Sequence, residues 1–441
     1  STILRRRKRY GASILIGMKS GDRPMKFLKR YSIEMTLAWR NVWKNKRRTV
    51  LTLLTITVGC AMVIFFMSLQ EGAYDTIIEN SVAPNTSHIQ IHDKGFWEDR
   101  NIDYGFIPDD SIINALKAEP AIAGFSRRVC AGGLVISEDT SEITFIQGID
   151  PTSEPLVSSL HKSIMKGGRY LAPGDTTHVL IGEGMAKNLE VKIGDPVSFL
   201  SQGFDGSFAG APELTVVGIF KTGNLEYDRM LILMPLDHAV EVFSMGDYVS
   251  SIAVRLHDGT LMTDTRDRLK KAIPSEGLEI MGWDELMPEL MQYVVMDRTS
   301  AYIFYFVLYL TVAFGVLNTV QMSVFERTRE FGVMLAIGTR PGQVLTMVAI
   351  ESFIISLFGI LLGCIVGAAL SWYFTIFPMD YSEYQQEMEV WGFTMTTVPA
   401  KMAFSYFIET SIVIFSISML FTIFPARRAA RLKPVVAIRK L

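Results

Sequence analysis

The residues that could do chemistry are few and scattered. There are six histidines in 441 residues, and only His88 and His92, in Ser-His-Ile-Gln-Ile-His, invite a metal reading. A strand would put both on one face, but about 13 Å apart, too far to share an ion. They read as two half-exposed strand histidines, and no metal site is assigned. The three cysteines, Cys60, Cys130 and Cys364, lack zinc-ligand spacing. Only Cys130 lies outside the long apolar runs, so the hydrophilic part of the chain has no intrachain disulfide to rely on. No GxxxxGK[ST] loop occurs, so ATP is not bound in the P-loop manner, and neither G-x-S-x-G nor H-E-x-x-H is present. No catalytic residue and no bound cofactor are therefore expected in this chain. Two acids, Glu351 and Glu409, sit inside apolar runs, where an ionisable side chain is a functional candidate by default. Glu409 lies near the far end of its run, within reach of water. For Glu351 the alternatives are a specific role, helix packing or snorkelling. No matching acid or base recurs in the other runs, which speaks against a proton relay.

These residues sit in a chain built around membrane spans. The AVILMFWYC residues make up 49% of it and charged residues only 20%, and the mean hydropathy is +0.26. The apolar residues are clustered. Residues 49–70 and 299–325 carry no charge, 341–379 carry only Glu351, and 402–426 only Glu409. Each run exceeds the roughly 20 residues that cross a bilayer core. Residues 1–48 carry 15 Lys/Arg against 2 Asp/Glu, and 427–441 carry 6 against none. Residues 70–298 carry 18 Lys/Arg against 35 Asp/Glu. The positive-inside rule, applied to the short flanks, puts both termini and the 326–340 loop in the cytoplasm. The expected fold is an α-helical membrane protein with four transmembrane helices plus a large α/β extracytoplasmic domain between helices 1 and 2. Its parts are a basic segment 1–48, span 49–70, outer domain 71–298, span 299–325, cytoplasmic helix 326–340, span 341–379, external loop 380–401, span 402–426 and basic tail 427–441. Met25 is a candidate natural start, which would make residues 1–24 an upstream extension.

Before the first span, Leu28, Tyr31, Met35, Trp39 and Val42 recur at helical spacing. The stripe suits a helix in the membrane interface, or one packed on protein. In the outer domain, alternation predicts strands at 86–92, 142–149, 197–200, 213–220, 230–234 and 251–256. Helices are expected at 110–117, 183–189, 236–243 and 263–272, and 283–298 runs as helix into the second span. The connection 201–212 holds three glycines and two phenylalanines. It reads as a long hairpin tip, with Gly203, Phe204, Asp205 and Phe208 offered to a partner.

Between the second and third spans lies Glu326-Arg-Thr-Arg-Glu-Phe-Gly-Val-Met-Leu-Ala-Ile-Gly338, ended by Gly338 and Pro341. Phe325, Thr328, Phe331 and Leu335 form one stripe, flanked by Glu326, Arg327, Arg329 and Glu330. Such a helix can fill a groove on a soluble motor; the plainer reading is an interfacial loop helix. The segment resembles the coupling helix of ABC permeases of the MacB/LolC/LolE/FtsX superfamily. The closing Pro425-Ala-Arg-Arg-Ala-Ala-Arg-Leu-Lys-Pro-Val-Val-Ala-Ile-Arg439 and Ile350-Glu351 are also similar to that superfamily's. The resemblance covers 32–441, and in length and domain size it is nearest the lipoprotein-releasing LolC/LolE type.

The resemblance implies a MacB-like periplasmic core between spans 1 and 2 and a bacterial inner-membrane location. It implies a non-catalytic permease working with two copies of an ABC ATPase that bind ATP and Mg, and with a second permease chain, identical or homologous. It assigns ATPase coupling to Glu326, Arg327, Thr328, Arg329, Glu330, Phe331, Leu335 and Gly338. It assigns the hairpin to a periplasmic chaperone or adaptor. A lipid or lipoprotein cargo would enter between spans 1 and 2 past Phe65, Phe66, Met67, Tyr302, Phe304, Phe306 and Tyr309. Acyl burial is worth about 0.8 kcal/mol per methylene, so extraction needs external work. Nucleic acid is not expected as a partner. The alternatives are an efflux permease for peptides, antibiotics or other amphiphiles, and a signalling or scaffold membrane protein.

Overall fold

The computed structural model describes residues 39–138, 140–273, 277–384 and 397–433. Most of the stripe at 28–42, the middle of the 380–401 loop and the end of the basic tail lie outside the described residues. The chain divides into two compact units. One comprises residues 1–69, 300–376 and 400–441, the other 70–299 and 377–399.

Five helices organise the first unit: α1 (Lys46–Val82), α2 (Pro288–Glu326), α3 (Thr328–Ala336), α4 (Pro341–Ile376) and α5 (Phe404–Ala430). All but α3 are long and apolar enough to cross a membrane. Lipid gives apolar side chains no reason to leave it, so such helices associate through close packing at small residues. Gly359, Gly363 and Gly367 form one edge of α4 and receive Ile56, Cys60 and Ile64 of α1. A Cβ on Gly363 would lie 2.5 Å from that of Cys60. Gly59 and Gly315 do the same between α1 and α2, facing Val312 and Thr55. The contact between α1 and α4 is continued by Thr57, whose Oγ1 donates to the Gly359 carbonyl at 3.2 Å.

Among the described residues the second unit carries a short two-stranded pair, Met379–Asp380 with Thr397–Val398, and a nine-stranded sheet: β1 (Ile89–Asp93), β2 (Ile122–Ile136), β3 (Ser141–Ile149), β4 (His178–Gly182), β5 (Pro196–Gln202), β6 (Phe208–Phe220), β7 (Leu231–Pro235), β8 (Ser251–Leu256) and β9 (Leu278–Gly282). Four of them, in the order β9-β1-β8-β2, with helices Asp110–Ala118 and Met262–Ala272, make a βαββαβ unit. Ile112, Leu116, Leu269 and Ile273 cover its sheet. Asp109 caps the first of these helices, its Oδ1 accepting from the Ile112 N–H at 3.0 Å. The long insertion between β2 and β8 closes on itself. β2 pairs with β3 and β5, and the order β2-β3-β7-β4-β6-β5 returns to β2 as a six-stranded barrel. Alternate residues point inward, as closure requires: Val129, Ala131 and Val135, Val179 and Ile181, Val197 and Phe199, Ile232 and Met234. Helix Leu236–Val242 presses on one end, where a Cβ at Gly148 would come within 2.3 Å of Ala239.

β2 is 15 residues long because it serves both parts. Arg128 is the crossover residue, opposite Ser251 of β8 on one side and Ile149 of β3 on the other. Its guanidinium is buried and bonds Glu154 through Nη2 at 2.5 Å and the Asn85 carbonyl through Nη1 at 2.6 Å. The neighbouring Glu154 charge more than offsets the desolvation that would otherwise lower the Arg128 pKa. Near the ends of α1 and α2 within this unit, Tyr74 and Gln70 donate to Asp297 at 2.7 and 3.1 Å. Ile77, Val82 and Leu290 pack beside them.

Most predicted elements of the domain recur within one to three residues. β2, β4 and β9 are additional, and β6 starts at Phe208 rather than near 213. The histidines differ from expectation, for both are buried. His88 lies before β1 and accepts from the Leu256 N–H at 3.0 Å, and His92 packs on Phe96 and Trp97.

The fragment 71–298 is expected to be a soluble monomer, since Cys130 is free and the cores are complete. In that fragment Arg128→Met leaves Glu154 buried and uncompensated and should cost about 3–5 kcal/mol. Arg128→Met/Glu154→Leu should cost clearly less. Urea unfolding of the three proteins measures both differences.

Candidate functional site

The site grows from the break between α2 and α3. Arg327 leaves helical geometry (φ −101°, ψ 13°), so α2 stops at Glu326 and α3 starts afresh at Thr328. The far end of α3 is closed by Gly338, whose φ of +101° suits glycine. Thr339 N–H bonds the Met334 carbonyl at 3.0 Å and Gly338 N–H the Leu335 carbonyl at 3.2 Å, the paired bonds of a Schellman stop. Pro341 then opens α4, with Gln343 Oε1 accepting from the Arg340 N–H at 2.9 Å. The segment is a short helix with both ends fixed.

Its inward face is Phe331, which is 0% exposed, with Leu335 and Met334 half-buried beside it. Phe331 belongs to the cluster that includes Val42, Val344, Ala426 and Ala429, and Arg327 lies over its ring at 5.0 Å. The alanines of Pro-Ala-Arg-Arg-Ala-Ala are the small residues that let α5 approach; Arg427 and Arg428 stay exposed. In this structure Phe331, expected to fill a partner's groove, packs on its own chain, with Leu335 half-buried beside it. The outward face is Arg329, Val333, Ala336, Ile337 and Arg340, with Ile337 79% exposed.

Beneath α3 runs a chain of charges. Glu351 is 4% exposed. One carboxylate oxygen accepts from Arg327 Nη1 at 2.8 Å and the other from Arg48 Nη2. Arg327 Nε also donates to Glu330 at 3.1 Å, and Lys44 Nζ donates to the same carboxylate at 2.7 Å. The Lys44 ammonium, with Arg327, holds the Glu330 carboxyl below the usual range. Asn45 Nδ2 donates to Glu326 at 3.0 Å. Residues 44–48, the 326–330 turn and α4 are thus joined by ion pairs. Sequence reasoning found Glu351 and the 326–330 residues but missed Arg48, Lys44, Val333 and Ile337. The available signal was that a buried acid needs a cation, and Arg47-Arg48 stands at the edge of the first apolar run.

The other predicted groups are less unified. Phe65 packs on Phe374 of α4 at 5.2 Å, and Met67 Sδ faces Thr410 of α5 at 3.8 Å. Phe66 meets Phe304 edge-on at 5.3 Å. Tyr309 packs on the helix core, and Tyr302 and Phe306 are exposed on α2. The hairpin tip is the five residues 203–207, since β5 ends at Gln202 and β6 begins at Phe208. Gly203 N–H bonds the Ser207 carbonyl at 2.9 Å, and Asp205 caps the turn through Ser207. Phe204 folds back onto Tyr248 at 4.8 Å, whereas Phe208 is 77% exposed. Of the two phenylalanines only Phe208 is free for a partner.

A family model described as the MacB-like periplasmic core domain matches residues 49–272, just over half the chain. A second, the FtsX-like permease C-terminal model, matches 302–434. The macrolide export ATP-binding/permease protein MacB of Pasteurella multocida is 24% identical over 426 residues, 93% of this chain but only 61% of that protein. The lipoprotein-releasing system transmembrane protein LolC of Xylella fastidiosa is 24% identical over 410 residues, 88% of this chain and 92% of LolC. Among solved structures, the periplasmic region of MacB from Actinobacillus actinomycetemcomitans aligns with a TM-score of 0.34 and 17% identity, covering 49% of this chain and 97% of that one.

The inward and outward faces of α3 should respond differently to truncation. Phe331→Ala removes a fully buried ring and should cost about 3–5 kcal/mol. Ile337→Asp, on the exposed face, should leave the thermal unfolding of the purified full chain within about 0.5 kcal/mol of wild type.

Proposed function

The chain belongs to the MacB/FtsX-type permeases of ABC transporters, and from that premise we propose that α3 is the element through which a separate ATPase drives it. The single observation that carries this reading is the two-faced character of α3. A helix anchored inward by Phe331 and pinned at both ends still presents Val333, Ala336 and Ile337, flanked by Arg329 and Arg340. That is an apolar patch with a charged rim, the form a docking helix takes. ATP and Mg would be held by two ATPase copies at the cytoplasmic face, and a second permease chain would complete the complex. The domain carrying β1–β9 would then face outward, and its motion would move the cargo.

For the cargo we favour a lipid-anchored protein released from the inner membrane. Likeness to LolC over most of both chains supports this, as do the exposed aromatics Tyr302, Phe304 and Phe306 on α2. Phe208 on the hairpin would meet a periplasmic chaperone or adaptor. The equal identity to MacB keeps efflux of macrolide-like amphiphiles as the second reading. Acyl-chain mass spectrometry of the complex purified from its own membranes separates them. Bound lipoprotein supports release, and small amphiphiles without lipoprotein support efflux.

Ile337→Asp should lower the recovery of ABC ATPase with the permease more than tenfold, the effect of losing an anchor worth about 2 kcal/mol. Quantitative mass spectrometry of affinity-purified complexes measures it. Wild-type recovery would remove α3 from the docking surface.

A further inference from the structure

Resting on the coupling role of α3, we propose that Arg48 is a positioning residue that carries the movement of α3 into the first span by sharing Glu351 with Arg327. Three elements meet at one carboxylate: Arg48 from the first turn of α1, Arg327 from the turn that heads α3, and Glu351 from α4. Side-chain exposure is 11%, 12% and 6% for the three. A charge so enclosed keeps its partner, because releasing it would strand it away from water. When an ATPase displaces α3, Arg327 must move, and the carboxylate and Arg48 must follow or re-pair.

The surroundings offer a second acceptor. Arg48 Nη1 makes no hydrogen bond among the described residues and stands 4.0 Å from Glu326 Oε2. Beside it is a cavity lined by Arg48, Glu351 and the hydroxyls of Thr52, Thr319, Ser323, Ser352 and Ser356, with aliphatic side chains such as Ile56 and Val316 between them. These hydroxyls, from α1, α2 and α4, sit where apolar side chains would pack more tightly. They offer the guanidinium polar partners beside Glu351. Arg48 thus has two carboxylates within reach, Glu351 and Glu326, and exchange between them would make the contact a switch rather than a strut. Arg48 is also well placed to act on α1, which continues without a break for 37 residues from Lys46 to Val82, roughly 55 Å at the helical rise.

Arg48→Gln isolates this role. It leaves Arg327 and Glu351 as a balanced pair, so α3 stays anchored and no lone charge is buried. Arg48→Lys keeps the charge and is the conservative control, and Ser352→Ala controls for the cavity. The measurement is hydrogen exchange of residues 70–82, the far end of α1, in the complex of full chain and ATPase, with and without ATP and vanadate. Wild type, Arg48→Lys and Ser352→Ala should show a nucleotide-dependent change. In Arg48→Gln the change should shrink about tenfold, within the usual range of coupling energies, while ATPase recovery and hydrolysis stay at wild-type levels. An undiminished response in Arg48→Gln would overturn the proposal. So would loss of ATPase from that variant, which would make Arg48 a folding residue. Failure of the underlying reading looks different, because wild type itself would then show no response to nucleotide.

Discussion

A carboxylate enclosed within a bundle of apolar helices is costly unless cations are brought to it. Glu351 meets that condition with two guanidiniums, and the local architecture follows from how they are delivered. Arg327 reaches it from the non-helical turn where α2 stops at Glu326 and a separate short helix begins. Arg48 has to come from the opposite side, which fixes the start of α1 against α4. The glycine edge of α4 then sets the spacing, since Ile56, Cys60 and Ile64 can seat only where no Cβ stands in the way. Ion pair and glycine edge together hold α1 by its end and along its length.

The α/β domain solves a different problem. A long insertion in a βαββαβ unit would leave exposed strand edges, and closure of β2 through β7 into a barrel removes them. The cost is one strand that must belong to both parts, and Arg128 sits where it passes from one to the other. Its bonds to Glu154 and to the Asn85 carbonyl tie the crossover to the segment that follows α1. A buried ion pair is a poor source of stability. It is a good way to fix a single geometry at a joint.

What could be read from the sequence follows the same physics. The four spans were legible because lipid demands long uncharged runs, and most strands of the barrel because closure demands alternation. β9 and the 15-residue β2 were not, since their glycines and charged residues blur the period, and β4 was not, since its short buried run does not alternate. The face of α3 was also hidden. Phe331 and Leu335 lie on one side and Val333 and Ile337 on the other, and spacing alone does not say which side the rest of the chain covers. Likewise Phe204 and Phe208 look alike in sequence, and only the turn at 203–207 directs one inward and leaves the other exposed. Glu351 was found by its charge, but its partner Arg48 was masked by a basic segment in which any cation looked equally available.

The central claim is that the outward face of α3 seats an ATPase. Site-specific photocrosslinking tests it most directly, with a photoreactive phenylalanine placed at 337, at 333 and, as a control on the α/β domain, at 261. Adducts to an ABC ATPase from 337 and 333, and none from 261, are the predicted result. Absence of any ATPase adduct from 337 and 333, in a complex that hydrolyses ATP, would contradict it.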